Sequence, residues 1–263
     1  MSPLTRRTAA ALAGRRAWLC DLDGTLVDSA PAHEAAFRAA LAEISPGSLG
    51  SFDYGAHTGA STRQVVEDLG VDPALVERVA GRKQQLYRAY VRGGAVAVLP
   101  GAHRLLALLA DRGCAAYLVT SGSRDSVTRV LDACALTGYF RGVLTADDVS
   151  CSKPDPGFYR QACRTWAVDP ARAVVLEDSS HGVASAVGAG LLTLQVHGGA
   201  PAAGAVPVRD LEEIVSLLEA GGIDEAAGPD DTEAPGVKAP GVKALNTEAL
   251  DTEALDMEGN PVG

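Results

Sequence analysis

An α/β fold is what this sequence predicts: a parallel sheet as core, with a block of helices inserted after the first strand. Three observations predict it. Apolar runs of strand length alternate with helical patterns from Leu99 onward. Residues 31–96 carry helical patterns with no convincing strand among them. Acids and hydroxyls stand where apolar runs end, and open α/β sheets place their chemistry at the carboxyl ends of strands.

The elements follow in order. Residues 1–14 read as an N-terminal extension, and residues 15–30 with 97–221 as the core. Residues 31–96 read as a helical cap, and 222–263 as a tail. Strand one spans Ala17 to Leu22. A helix begins near Pro31 and runs to about Ile44. A second starts at Ser61, whose spacing to Gln64 fits a capping box. A third starts at Asp72-Pro73, an N-cap followed by proline at the first helical position, and continues to about Arg92. After Leu99-Pro100-Gly101 a helix ends near Arg112-Gly113, where glycine makes a helix stop. The remaining strands are Ala115 to Val119, a short one near Val143-Leu144, Ala173 to Leu176, and Leu191 to Val196. Helices near Ser123–Cys134, Pro156–Trp166, Gly182–Gly188 and Asp210–Ala220 stand among and after them.

Charge narrows the function classes. The net charge is −10, but residues 223–263 hold ten acids and two lysines, leaving −2 for the rest. The folded part is nearly neutral, so nothing suggests a nucleic-acid partner. The tail repeats Ala234-Pro235-Gly236-Val237-Lys238 at residues 239–243, and Asn246-Thr247-Glu248-Ala249-Leu250 as Asp251-Thr252-Glu253-Ala254-Leu255. Proline, glycine and acids at that period bury little, so disorder is expected there. No apolar run approaches the roughly 20 residues of a membrane span. The N-terminus lacks the hydrophobic centre of a secretory signal. Arg6, Arg7, Arg15 and Arg16 among alanines resemble an organelle transit peptide, but the first strand follows too closely. Cys20, Cys114, Cys134, Cys151 and Cys163 are odd in number and form no Cys-x-x-Cys pair, which points to reduced thiols and a cytoplasmic location.

Four loops would converge on one sheet edge. Asp21 and Asp23 end strand one, with Gly24-Thr25 behind them to turn the chain. One carboxylate can attack phosphorus and the other can move protons; a plain pair of turn aspartates is the duller reading. Thr120-Ser121-Gly122-Ser123 offers hydroxyls at a helix start, where anions bind, or merely an ordinary cap. Lys153, before Pro154, offers a point charge, although a lone lysine there is commonly solvated. Glu177-Asp178 end another apolar strand, as ligands for a hard cation such as Mg²⁺ or as a helix cap. Each loop has a structural explanation; all four in order at element boundaries favour a joint site.

The run Asp21-Leu22-Asp23-Gly24-Thr25, together with Thr120, Lys153 and Glu177-Asp178, resembles the four signatures of the haloacid dehalogenase-like superfamily, over about residues 17–200. The resemblance implies a Rossmann-like core with an α-helical cap and a phosphatase acting through an aspartyl-phosphate. It implies Asp21 as nucleophile, Asp23 as general acid/base, Thr120 as phosphoryl binder and Lys153 as charge stabiliser. It implies Mg²⁺ held by Asp21, Asp178 and the backbone carbonyl of Asp23, with Glu177 assisting. Asp23 counts against the dehalogenase branch, which lacks a second acid there. The loop with Ser121 and Gly122, and Leu144-Thr145-Ala146-Asp147-Asp148-Val149, are similar to sugar- and polyol-phosphate phosphatases. Beta-phosphoglucomutases are a near relative: His33 stands at the spacing of their cap histidine, whereas Thr62 takes the place of their cap arginine, with Arg63 one residue later.

Periodicity adds cap candidates for substrate binding. Leu75, Val79, Leu86 and Tyr90 form an apolar helical stripe, and Lys83 falls on it. His33 precedes Phe37 by one turn on the first cap helix. Either the face closes over a substrate, or Lys83 snorkels to the edge and His33 is a satisfied core histidine. Arg63, near a helix start, grips a distal phosphate or is simply exposed. His57, His181 and His197 form no metal-ligand spacing. The expected function is a Mg²⁺-dependent phosphatase of a small phosphorylated metabolite, a sugar or polyol phosphate. A phosphosugar mutase and a non-catalytic binding protein that keeps the fold are the alternatives.

Overall fold

The sheet has the strand order β5-β4-β1-β6-β7-β8, with every neighbouring pair parallel. The structure, a computed structural model, describes residues 3–197 and 201–220. The strands are β1 (Ala17–Cys20), β4 (Ala115–Val119), β5 (Phe140–Leu144), β6 (Ala173–Glu177), β7 (Leu192–Gln195) and β8 (Val206–Pro207). The repetitive segment expected from residue 222 lies outside the described residues.

Strand alternation builds the two faces. Trp18, Cys20, Ala116, Leu118, Val174 and Leu176 join one apolar cluster; Leu19, Val119, Ala173 and Val175 join the other. Successive strand residues point to opposite faces, so a run apolar at every position must be covered on both. Helices α5 (Ala102–Asp111), α6 (Arg124–Ala133) and α9 (Leu211–Ala220) supply Leu105, Leu106, Val127, Val130, Leu211 and Ile214 to the first face. Helices α7 (Gly157–Thr165) and α8 (Ser180–Gly188) supply Phe158, Tyr159 and Ala186 to the second. Each fully buried large apolar side chain contributes about 1.5–3 kcal/mol relative to exposure. This is the doubly covered parallel sheet that the strand–helix alternation predicts.

Two elements went unread in the sequence besides the two-stranded ribbon described below. The N-terminal extension forms helix α1 (Pro3–Leu12), which packs by α9 and buries Leu12. Strand β8 is two residues long; Pro207 lacks an N–H to donate, which suits it to this edge.

Residues between β2 (Val27–Asp28) and β3 (Ala97–Val98) form the helical cap: α2 (Ala30–Ile44), α3 (Thr62–Asp68) and α4 (Val76–Arg92). They carry a core of their own, with Phe37, Leu41, Phe52, Val65, Val66, Val76 and Val79. The two short strands pair antiparallel, Val27 with Val98 and Asp28 with Ala97. Ser61 caps α3 by accepting from Gln64 N, but Gln64 Oε1 has no partner, so the reciprocal bond of the expected capping box is not made. Helix α4 begins at Val76 rather than at Pro73, because Asp72 spends its carboxylate on Ala74 N in a local turn. Its buried face is Val76, Val79, Lys83, Tyr87 and Val91. Leu86 and Tyr90 of the expected stripe are only partly buried, so the helix is rotated about one residue from that reading.

Candidate active site

Register brings the expected loops level. Cys20 pairs with both Leu118 of β4 and Leu176 of β6. Asp21, Val119 and Glu177 therefore end their strands side by side, and the following residues face a shared cavity under the cap. That cavity is lined by Asp21, Asp23, Thr120, Ser121, Gly122 and Asp178 from the core, and by His33, Tyr54, Thr62, Lys83, Gln84 and Tyr87 from the cap.

Lys153 ties the floor together. Its ammonium donates to Asp21 Oδ1 at 2.7 Å, Glu177 Oε1 at 2.5 Å and the Val119 carbonyl at 3.1 Å. It is 1% exposed, so this lysine is no solvated loop residue. Burial pulls its pKa down, but Asp21 and Glu177 outweigh burial and raise it. Tyr159 donates to the same Glu177 oxygen at 2.6 Å. Gly182 packs so near that a Cβ there would lie 2.0 Å from the Glu177 carboxylate. Glu177 thus fixes Lys153 from behind.

Asp21, Glu177 and Asp178 offer carboxylate oxygens within 4.8 Å of one another. Burial, opposed by Lys153 and helped by Glu177 and Asp178, raises the pKa of Asp21 well above its usual range. Burial and Glu177 push Asp178 up to about 7, against Thr25, which donates to Asp178 Oδ1 at 3.2 Å. One ammonium does not offset three clustered carboxylates. An oxygen-only donor set short of positive charge is what a hard divalent cation fits. Gly24 permits the close approach: its φ is +81°, and a Cβ would fall 2.2 Å from Asp178 Oδ2.

Asp23 belongs to a different environment. Its Oδ1 accepts from Ser29 Oγ at 2.6 Å, His33 Nε2 at 3.2 Å and Tyr87 OH at 3.4 Å. Burial pushes its pKa up, but His33, Ser29 and Lys83 prevail and hold it at about 2. Lys83 Nζ stands 2.7 Å from His33 Nδ1. With the ammonium donating there, the imidazole is neutral and carries its proton on Nε2, facing Asp23. Burial and Lys83 lower the His33 pKa against Asp23. Burial lowers Lys83 itself to about 7. The His33 ring stacks on Tyr87 at 3.9 Å between centroids.

The hydroxyl loop is ready for an anion. Thr120 Oγ1 accepts from Gly122 N at 3.1 Å, leaving its own proton to donate. Ser121 Oγ is buried without a protein partner and lines the cavity. An orphaned buried hydroxyl costs about 1–3 kcal/mol unless a ligand satisfies it. At Gly122 a Cβ would meet Val127 Cγ2 at 2.8 Å, so a side chain there would crowd the helix.

The structure therefore brings Asp21, Asp23, Thr120, Ser121, Gly122, Lys153, Glu177 and Asp178 together with His33 and Lys83. Arg63 is the exception. It is exposed, and its guanidinium pairs with Glu67 at 2.8 Å and with Glu77. The expectation that it reaches the substrate is corrected: one position after Thr62, it turns to the outer side of α3. Ser29, Tyr87 and Tyr159 were missed. Tyr87 was within reach, being four residues after Lys83 on one helical face. Tyr159 meets Glu177 only through tertiary packing.

Comparison with known proteins agrees with this geometry. The profile of the haloacid dehalogenase-like hydrolase family matches residues 18–196. The plasmid phosphoglycolate phosphatase of Cupriavidus necator is 32% identical over 207 residues, covering 77% of this chain and 89% of that protein. Hexitol phosphatase A of Escherichia coli is 32% identical over 184 residues, covering 69% and 83%. CbbY from Rhodobacter sphaeroides, solved with phosphate, superposes with a TM-score of 0.68 at 27% identity, covering 78% of this chain and 99% of that one. A matching family profile over most of the sheet and cap, and relatives alike across most of their length, lead to one conclusion: the chain belongs to the haloacid dehalogenase-like hydrolases.

Proposed function

We propose that the chain is a Mg²⁺-dependent phosphatase that hydrolyses a small sugar or polyol phosphate through an aspartyl-phosphate on Asp21. The observation that carries this reading is the division of labour between two acids two residues apart. Asp21 is fixed by Lys153 at 2.7 Å on the floor, and Asp23 is held by Ser29 and His33 toward the cap. Carboxylates in contrasting environments take different roles.

Asp21, Asp178 and the backbone carbonyl of Asp23 would hold Mg²⁺, with Glu177 behind them; the ion supplies charge neutralisation for the phosphoryl oxygens. Lys153 adds a cation beside Asp21, and Thr120 and Ser121 donate to the phosphoryl group. Asp21 attacks phosphorus while the P–O bond to the leaving group breaks. An arriving phosphate dianion raises the Asp23 pKa by like-charge repulsion, so that Asp23 carries the proton the leaving oxygen takes. Asp23, ionised again, then takes a proton from water as that water attacks phosphorus, releasing phosphate and restoring Asp21.

A mutase needs a grip on a second phosphate, and the side chain expected to provide it, Arg63, is engaged with Glu67 and Glu77. The test is phosphate release in Mg²⁺ across sugar phosphates, polyol phosphates, phosphoglycolate and nucleotides. Asp21→Asn is expected to release no phosphate while keeping the wild-type circular dichroism. Full activity in that variant removes Asp21 as nucleophile.

A further inference from the structure

Between the cap and the core runs a chain of hydrogen-bonding groups, uncharged except for Lys83 at its cap end, that the reaction above does not use. Ser123 Oγ donates to Ser126 Oγ at 3.1 Å, and Ser126 Oγ donates to Gln84 Oε1 at 2.9 Å. Gln84 Nε2 donates to Thr62 Oγ1 at 3.0 Å, and Lys83 Nζ donates to the same oxygen at 3.2 Å. All five residues line the cavity. Thr62 thus commits both lone pairs and keeps its proton for a ligand. Gln84 keeps a second N–H and a second lone pair, and Ser123 keeps acceptor capacity.

Such a wall both donates and accepts, as an alcohol does. A carboxylate or second phosphate only accepts, and it needs a cation. Of the candidate cap cations, Arg63 is turned outward to Glu67 and Glu77. Lys83 is buried, bonded to His33 and Thr62. Asp23, on the same side, repels a second anion.

We propose that Gln84, braced by Thr62 and Ser126, is the specificity-determining residue of this pocket, and that it selects a monophosphate whose leaving group carries neutral hydroxyls and no second anion. The inference rests on the phosphatase reading and narrows its substrate class. Gln84 is not needed merely to tie the cap down. Arg88, one turn along α4, already joins α6 through Asp125 at 3.1 Å. On the other side of the cavity, His181 Nδ1 donates to the Thr58 carbonyl at 3.2 Å.

The test compares kcat/KM for a hexitol 6-phosphate and for phosphoglycolate, which bears a carboxylate. Wild type is expected to favour the hexitol phosphate by at least about tenfold, since a site that hydrogen-bonds hydroxyls rejects ligands lacking them. Gln84→Ala is expected to lower that ratio at least about tenfold, chiefly through KM. Gln84→Lys is expected to move it further toward phosphoglycolate. Arg88→Ala, which loosens the cap without touching the wall, is expected to leave the ratio in place. A wild type that prefers phosphoglycolate overturns the inference. So does a Gln84→Ala enzyme slowed equally on both substrates, which makes Gln84 a brace alone. Should wild type release phosphate from neither of these nor from any other ester, the phosphatase reading itself fails, a distinct result.

Discussion

At the scale of the residue, position along a strand is what made the site readable. Asp21, Thr120, Glu177 and Asp178 lie at or just past strand ends, where burial and function meet, and an acid there stands out against apolar neighbours. Lys153 is different: the sequence offered only its type, and the fold supplied its burial. Lys153→Met leaves Asp21 and Glu177 buried without their counter-charge, so a loss of about 3–5 kcal/mol is expected in urea unfolding without Mg²⁺. Wild-type stability in that variant would mean the carboxylates are neutral in the resting enzyme. Ser29 and Tyr159 escaped notice because a serine before a helix and a tyrosine inside one are ordinary, and only the folded chain shows which acids they serve.

At the scale of the element, α4 carries the conflict between stability and function. Lys83 is 2% exposed, the one charged residue on a buried helical face otherwise made of Val76, Val79, Tyr87 and Val91. Its pKa falls from 10.5 unfolded to about 7 folded, by burial against the pull of Asp23. The unfolded chain therefore binds the proton more tightly, and wild-type stability rises with pH between those values. Lys83→Met is expected to gain on the order of 1–4 kcal/mol at pH 7 and to lose that rise. Its turnover should fall about tenfold or more, because His33 loses the donor that sets its tautomer. Urea unfolding at pH 7 and pH 9 checks the first point; an unchanged slope would show that Lys83 titrates normally. The helix itself was legible by its period, but its start and rotation were not. Asp72-Pro73 has the chemistry of a helix cap, yet the same carboxylate closes a two-residue turn equally well. Short pairings such as β2 with β3, two residues each, hold too little pattern to be read.

At the scale of the whole molecule, the described residues concentrate acid at one point, with Asp21, Glu177 and Asp178 facing a single lysine. Binding of a cation to the folded chain alone stabilises it by about 2.7 kcal/mol at a hundred times Kd. Mg²⁺ is therefore expected to raise the Tm over that in chelator, and Asp178→Asn to abolish most of the rise. A Tm indifferent to Mg²⁺ in wild type would remove the metal assignment. Among the described residues, no helix is long and apolar enough to cross a membrane. The alternation of strands and helices made the core readable. The closing of cap on core was not, since it depends on contacts such as Gly59, with a φ of +83°, lying against Ser179. One consequence follows from the small ribbon at the cap's root. The chain leaves at Val27-Asp28 and returns at Ala97-Val98, paired residue to residue. Excising everything between would leave two ends already adjacent, ready to be bridged by a tight turn. A different lid grafted there leaves the sheet threaded as before, provided that it again supplies the donors that Ser29, His33 and Tyr87 give to Asp23.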